Sequence, residues 1–257
     1  MTDLKKNNGY DNSRIALVTG GIGGIGTAIC RQLLDQGRRV VAGHLPQELE
    51  IAEGWKADLA SDGYHVDLVS GDVANFASSK DMVTDVVSRF GAVDILVNCA
   101  GITRDKMLRK MDIDMWEDVL STNLDSAFNV TRQVVDGMID RQFGRVVNIS
   151  SVNGQKGQFG QTNYSAAKAG LHGFTMALAQ EVAYKGITVN TISPGYVDTR
   201  MTQAMPDDIR NQIVSTIPVG RMADPSEIAR AVAFVCHDES NYMTGANLPI
   251  NGGLYMN

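Results

Sequence analysis

Seven short apolar runs punctuate the chain, each running into glycine, serine or another small turn-forming residue. They are RIALVTG (residues 14–20), RRVVAGH (38–44), YHVDLVSGDV (64–73), VDILVNCAG (93–101), GRVVNISS (144–151), ITVNTISPG (187–195) and NLPING (247–252). Runs that are continuously apolar predict strands buried on both faces, as in a parallel sheet. Between them the pattern takes a helical period. IGTAICRQLLDQG (25–37) and SKDMVTDVVSRFG (79–91) are amphipathic, and the second closes on Arg89 and then Gly91. ADPSEIARAVAFVCHDES (223–240) predicts a helix capped by Asp224, with Pro225 in its first turn and Glu227 three residues after the cap. Strands alternating with helices through short loops predict one α/β domain over residues 14–257. Its expected form is a doubly wound parallel sheet (a Rossmann fold) with helices on both faces. Residues 1–13, MTDLKKNNGYDNS, are polar and aperiodic and predict a flexible N-terminal tail. Residues 198–222 interrupt the alternation, as a substrate lid or as a plain surface excursion.

Composition narrows the function classes. The chain has 257 residues, 44% of them hydrophobic and 20% charged, enough for one domain with a sizeable core. No apolar run is long enough to cross a bilayer, and no hydrophobic signal segment follows Lys5 and Lys6, so a cytoplasmic protein is expected. The net charge of −6 speaks against nucleic acid and anionic membranes as partners. Any polyanionic substrate must then meet a local basic patch. Cys30, Cys99 and Cys236 are widely separated and odd in number, which predicts reduced thiols rather than a disulfide framework or a metal site.

TGGIGGIG (19–26) follows the first predicted strand and opens a helix. There Gly20, Gly24 and Gly26 let the chain turn, bring backbone N–H groups to a pyrophosphate and seat the helix on the sheet. Asp72, after the third strand, is placed either to accept from an adenine amino group or to cap a turn. Asn98–Gly101, NCAG, closes the fourth strand with small residues on which a cofactor can lie. The second strand ends in Gly43 and His44, where sites for NAD usually carry an acid. Nothing there repels a 2′-phosphate, yet no arginine follows to attract one, and Glu48 and Glu50 come next. Arg38 and Arg39 stand at the strand's other end, about 15 Å away at the usual rise. NADPH is favoured slightly over NADH.

SSVNGQKGQFGQTNYSAAKAG (150–170) sets Tyr164 and Lys168 four residues apart, on one face if helical. A free phenol is protonated near neutral pH, and a neighbouring ammonium together with an oxidised nicotinamide would lower its pKa. Such a phenol can exchange a proton with a ketone or alcohol oxygen while hydride is transferred. Ser151 can hydrogen-bond the same oxygen. Asn123, in STNLDSAFNV, can bind a water that passes the proton inward. A surface Tyr–Lys pair and a helix-bending asparagine are the plainer readings.

Taken together and in order, these residues resemble the short-chain dehydrogenase/reductase family. The matching features are TG-x-x-x-G-I-G, Asp72, N-x-A-G, Asn123, Ser151 thirteen residues before Tyr164, Y-x-x-x-K, and P-G-x-x-x-T over Pro194–Thr199. The resemblance runs from about residue 14 to the C-terminus. Cys99 departs from it, since the family commonly has a second asparagine there. The resemblance implies a catalytic set of Asn123, Ser151, Tyr164 and Lys168, no metal, and a homotetramer joined through the long helices flanking Ser151. It implies a cofactor held by Gly20, Ile22, Gly24, Ile25 and Gly26, by His44, Asp72 and Val73, and by Asn98, Ala100 and Gly101. Tyr164, Lys168, Pro194, Gly195, Val197 and Thr199 would complete that set, with Thr199 and the backbone near Val197 on the carboxamide.

Residues 148–181 and GITRDKMLRKM (101–111) more narrowly resemble the reductases of acetoacetyl-coenzyme A that supply (R)-3-hydroxybutyryl-coenzyme A for polyhydroxyalkanoate storage. This implies a small acyl-CoA partner bordered by Asp105, Ser151, Gln158, Phe159, Gln161, Tyr164 and Tyr196. The glutamines would hold the thioester end, and Phe159 and Tyr196 would wall the acyl chain. Arg104, Lys106, Arg109 and Lys110 form a basic cluster that either meets the coenzyme A phosphates or is an ordinary solvated face. The rivals are a 3-oxoacyl-[acyl-carrier-protein] reductase, a dehydrogenase of sugars or steroids, and a nucleotide-sensing binding protein without catalysis.

Overall fold

The computed structural model describes residues 14–256, and the expected N-terminal tail lies outside them. All seven apolar runs form strands: β1 (Ile15–Val18), β2 (Arg39–His44), β3 (Asp67–Ser70), β4 (Ile95–Asn98), β5 (Gly144–Ile149), β6 (Ile187–Pro194) and β7 (Asn247–Ile250). They make one parallel sheet in the order β3-β2-β1-β4-β5-β6-β7. The helices in chain order are α1 (Gly24–Asp35), α2 (Leu49–Ser61), α3 (Phe76–Phe90), α4 (Ile113–Leu120), α5 (Ser126–Arg141), α6 (Val152–Lys156), α7 (Thr162–Val182), α8 (Arg200–Gln203), α9 (Asp207–Ser215) and α10 (Pro225–Val235).

Strand alternation assigns each residue to one of two cores. Ala16, Val18, Val40, Ala42, Ile95, Val97 and Val147 pack on one side with Ile29 and Leu33 of α1, Leu59 of α2, and Ile228 and Val232 of α10. Their neighbours Leu17, Val41, Leu96 and Val146 pack on the other side, against Val83 and Val86 of α3, Val130 and Val134 of α5, and Val182 of α7. With both faces covered, the central strands β1 and β4 are almost wholly apolar, whereas β5 and β6 also bury polar residues such as Asn148 and Thr191. This is the doubly wound fold.

The predicted helix ends are present. Asp224 accepts from Ser226 N–H, and Glu227 accepts from Asp224 N–H, closing the box at the start of α10. Gly91 follows α3 with φ at +105°. The interruption at 198–222 carries the short helices α8 and α9. Among the described residues no helix is long and apolar enough to cross a membrane.

The strand order reverses between β1 and β4, opening a crevice at their carboxyl ends. The glycine turn after β1 and the NCAG segment after β4 both lie there.

Candidate active site

The glycine turn leaves the N-terminus of α1 open. Gly23 precedes this helix without a side-chain cap and its first turn holds no acid, whereas Asn75, Asp112 and Asp224 cap α3, α4 and α10 with their side chains. The first-turn N–H groups and the helix dipole thus remain for an anion. The turn is packed backbone to backbone. A Cβ on Gly20, whose φ is +61°, would sit 2.9 Å from Ala100 Cα. One on Gly24 would sit 2.8 Å from Thr199 Cγ2, so the glycine turn and the P-G-x-x-x-T segment, distant in sequence, touch here. Ile22 and Ile25 rest partly buried on the core, and Val73 is buried behind Asp72.

The other expected cofactor residues line the same strand ends. His44 is buried, and its Nδ1 lies 2.9 Å from the Leu45 carbonyl. A carbonyl only accepts, so Nδ1 carries the proton. Glu48 is spent on the backbone, accepting from Leu45 N–H at 3.0 Å. Asp72 accepts from Ala74 N–H with Oδ1 at 3.0 Å. Asn98 turns its side chain to the α5–α7 side. It donates to Asn148 Oδ1 at 2.8 Å and to Thr131 Oγ1 at 3.2 Å, and Asn148 passes the chain on to Thr175 and Thr191. This buried polar band ties three strand tips together, and Asn98 offers the crevice its backbone rather than its amide.

Tyr164 and Lys168 share a face of α7, as the spacing predicts. Ser151 caps α6, and a Cβ on Gly154 of that helix would come within 2.7 Å of the Lys168 carbonyl carbon. Ser150 Oγ also donates to Lys168 O at 2.7 Å. Close packing of α6 on α7 thus fixes where Ser151 stands relative to the pair. The Ser151 oxygen accepts from Asn153 N–H at 3.1 Å, which leaves its own proton for the Tyr164 side.

Burial raises the Tyr164 pKa above its ordinary value, with Ser151 pulling against this and Asp105 adding to it. The lysine does not reverse the balance. Its Nζ lies 5.6 Å from the phenol ring centroid and donates instead to Ile149 O at 2.8 Å. The expected lowering is therefore absent in the protein alone, and the phenol is held protonated. Burial brings the Lys168 ammonium down to about 8, and it pushes the neighbouring Cys99 thiol up to about 11.

Asn123 sits in a π-helical turn, Ser121–Asp125, between α4 and α5. Its amide donates to Ile102 O at 2.8 Å and accepts from Ile102 N–H at 2.7 Å. One N–H and one lone pair remain for a water. Gly101 lies between the two motifs: a Cβ there would meet Asn123 Oδ1 at 3.0 Å and Lys168 Nζ at 3.4 Å.

The loop joining Ser151 to Tyr164 docks on the 102–107 segment. Gln161 donates to Asp105 at 2.8 Å and accepts from Asn153 Nδ2 at 2.9 Å, while Lys106 N–H donates to Gly160 O. Gln158 accepts from Lys156 Nζ at 2.9 Å, and Phe159 is 83% exposed at the rim. Tyr196 is partly buried beside a cavity of about 100 Å³ that Ile217, Val219 and Gly252 also line. Burial and then Asp105 raise its pKa, which places that carboxylate within electrostatic reach of both phenols. In the basic cluster, Arg104 pairs with Asp118 at 3.3 Å, and Lys106, Arg109 and Lys110 are exposed.

The short chain dehydrogenase family model matches residues 14–210, more than three quarters of the chain. The chain belongs to the short-chain dehydrogenase family. The acetoacetyl-CoA reductase of Allochromatium vinosum is 63% identical over 95% of this chain and 99% of its own length. That of Cupriavidus necator is 57% identical over 95% and 98%. A 3-oxoacyl-[acyl-carrier-protein] reductase of Vibrio cholerae is 44% identical over 95% and 98%.

As a short-chain dehydrogenase the protein works with a nicotinamide cofactor, and the open α1 terminus and the small-residue crevice fit one. Two residues organise this short-chain dehydrogenase site in ways the motifs do not show: Thr19, which opens the glycine motif, and Asn163, which stands outside every motif. Thr19 Oγ1 accepts from Cys99 N–H and Ala100 N–H at 3.1 and 3.2 Å, pinning the β4 end to the glycine turn. Asn163 is wholly buried and donates to Arg104 O and Met115 O, anchoring the loop that carries Asp105 next to Tyr164. The one signal for Asn163 is an amide beside the reactive tyrosine, and its partners lie 48 and 59 residues away.

Proposed function

We propose that the protein reduces the 3-keto group of acetoacetyl-coenzyme A to (R)-3-hydroxybutyryl-coenzyme A, a monomer suited to polyhydroxybutyrate synthesis. The observation that carries this reading is one wall of the crevice. There Ser151, Tyr164 and Lys168 stand beside the docked Asn153–Gln161–Asp105 segment, which supports a proton donor and acyl-recognition groups sharing one space. Relatives named for this reaction, matched end to end at 63% and 57% identity, support it.

A reduced nicotinamide, when bound, supplies the hydride. Tyr164 gives the proton to the ketone oxygen, for which a phenol held protonated by burial is the required form. The Ser151 hydroxyl, backed by Asn153 N–H, donates to the same oxygen and stabilises its developing charge. Lys168, anchored on Ile149 O, sets a positive charge behind the phenol and steadies the phenolate left after transfer. Asn123 holds Ile102 and so fixes the edge of the cofactor crevice. The segment 198–222 serves as the lid. One end is pinned where Thr199 meets Gly24, and the other where Ala223 N–H donates to Tyr196 O and Ala223 O accepts from Asp198 N–H.

NADPH is the inferred donor, since β2 ends in His44 rather than in an acid that would hold the ribose hydroxyls. A homotetramer is inferred as well: Phe128 on α5 and Met176 on α7 stand about half exposed, leaving apolar surface for other subunits. A cytoplasmic enzyme fits both inferences.

The test is the initial rate of acetoacetyl-coenzyme A reduction with NADPH and with NADH, read from loss of the reduced nucleotide's absorbance. Rapid turnover, faster with NADPH, is expected. No turnover with either nucleotide, alongside turnover of an acyl-carrier-protein thioester, would overturn the substrate assignment.

A further inference from the structure

Asp105 has a charge that its hydrogen bond does not need. The carboxylate accepts from Gln161 Nε2 at 2.8 Å, a role that an asparagine oxygen would fill equally well. Its charge acts against the site's chemistry. It makes the Tyr164 phenolate harder to form, and it opposes negative charge developing on a substrate oxygen beside that phenol. After burial, it also raises the pKa of Tyr196, so its charge acts on a second phenol expected to border the acyl group. The carboxylate is held there deliberately. Gln161 grips it, Asn153 Nδ2 grips Gln161, and Asn163 fixes the preceding residue through Arg104 O at 3.1 Å. A fixed charge that costs the reaction something is expected to contribute elsewhere.

We propose that Asp105 is an electrostatic filter that admits neutral 3-ketoacyl thioesters and rejects the corresponding free 3-keto acids. The inference rests on the thioester reading given above. A thioester and its free acid share the ketone, the methylene and the acyl chain. They differ at C1, where one is neutral and the other a carboxylate. A pocket that reads only shape and the ketone would take both. A carboxylate across from C1 separates them by like-charge repulsion, which is the cheapest way to exclude a near-isostere. Asp105 is exposed, so partial screening limits the effect to a modest factor.

The experiment measures competitive inhibition by acetoacetate and by methyl acetoacetate, its uncharged counterpart, against reduction of the N-acetylcysteamine thioester of acetoacetate. For Asp105→Asn the acetoacetate Ki should fall about fivefold relative to that of methyl acetoacetate, a size in keeping with one partly screened charge. Asp105→Glu should keep the discrimination. In the unaltered protein, higher salt should narrow the gap between the two inhibitors, and in Asp105→Asn it should have much less effect. Equal changes in the two Ki values, or an acetoacetate Ki that does not fall in Asp105→Asn, would overturn the filter. Failure of the unaltered protein to reduce the thioester would instead overturn the substrate reading on which it rests.

Discussion

Replacing Lys168 by methionine should stabilise the protein at neutral pH while removing its activity. The ammonium is 4% exposed, and burial lowers its pKa from 10.5 to about 8. Below about 8 the lysine is charged in the folded and unfolded chains alike, so the folded state carries the full cost of burying the charge. At 1.36 kcal/mol per pKa unit that cost is about 3 kcal/mol. Between about 8 and 10.5 the unfolded chain binds a proton that the folded chain has released, so stability rises with pH. Above 10.5 both are neutral and the cost is gone. Methionine keeps an unbranched stem of similar length without the charge. It forfeits the 2.8 Å hydrogen bond to Ile149 O, worth about 1–2 kcal/mol.

The balance at pH 7 is then a gain of about 1–2 kcal/mol for Lys168→Met, and near pH 10.5 it becomes a loss of similar size. Urea midpoints of the two proteins, taken at one protein concentration from pH 7 to 10.5, should cross. A methionine protein that is less stable at pH 7, or a difference that does not move with pH, would refute the reasoning. The stability released is what the native enzyme spends to hold a cation behind Tyr164.

Tyr164→Phe should lower kcat at least a thousandfold, because the proton donor is lost, while reduced-nucleotide affinity measured by fluorescence titration changes no more than about threefold. Gly101→Ala would press a methyl against Asn123 Oδ1 and Lys168 Nζ, at 3.0 and 3.4 Å. It should raise the KM for the nucleotide and lower kcat by about tenfold, with about 1–3 kcal/mol lost in denaturant titration.

The fold was legible because strands covered on both faces are rich in apolar residues, and seven such runs stand out against amphipathic helices, although β5 and β6 also bury Arg145, Asn148, Asn190 and Thr191. The catalytic residues were legible because their spacing along α7 is local. What stayed hidden depends on direction rather than on composition. N-x-A-G places Asn98 at the crevice, and strand parity turns its amide to the side of Leu96 and away from that of Val97. Its register with Asn148, fifty residues on, makes it part of a band that no local pattern reveals. The phenol's balance was hidden for a related reason. Four residues on a helix put Lys168 beside Tyr164, but the backbone carbonyl of Ile149, supplied by a different strand, takes the ammonium's hydrogen bond. The sequence expectation combined the ammonium with an oxidised nicotinamide in lowering the phenol's pKa. Burial, a property of the whole fold, holds it protonated, and that is the form in which a ketone reductase begins its cycle.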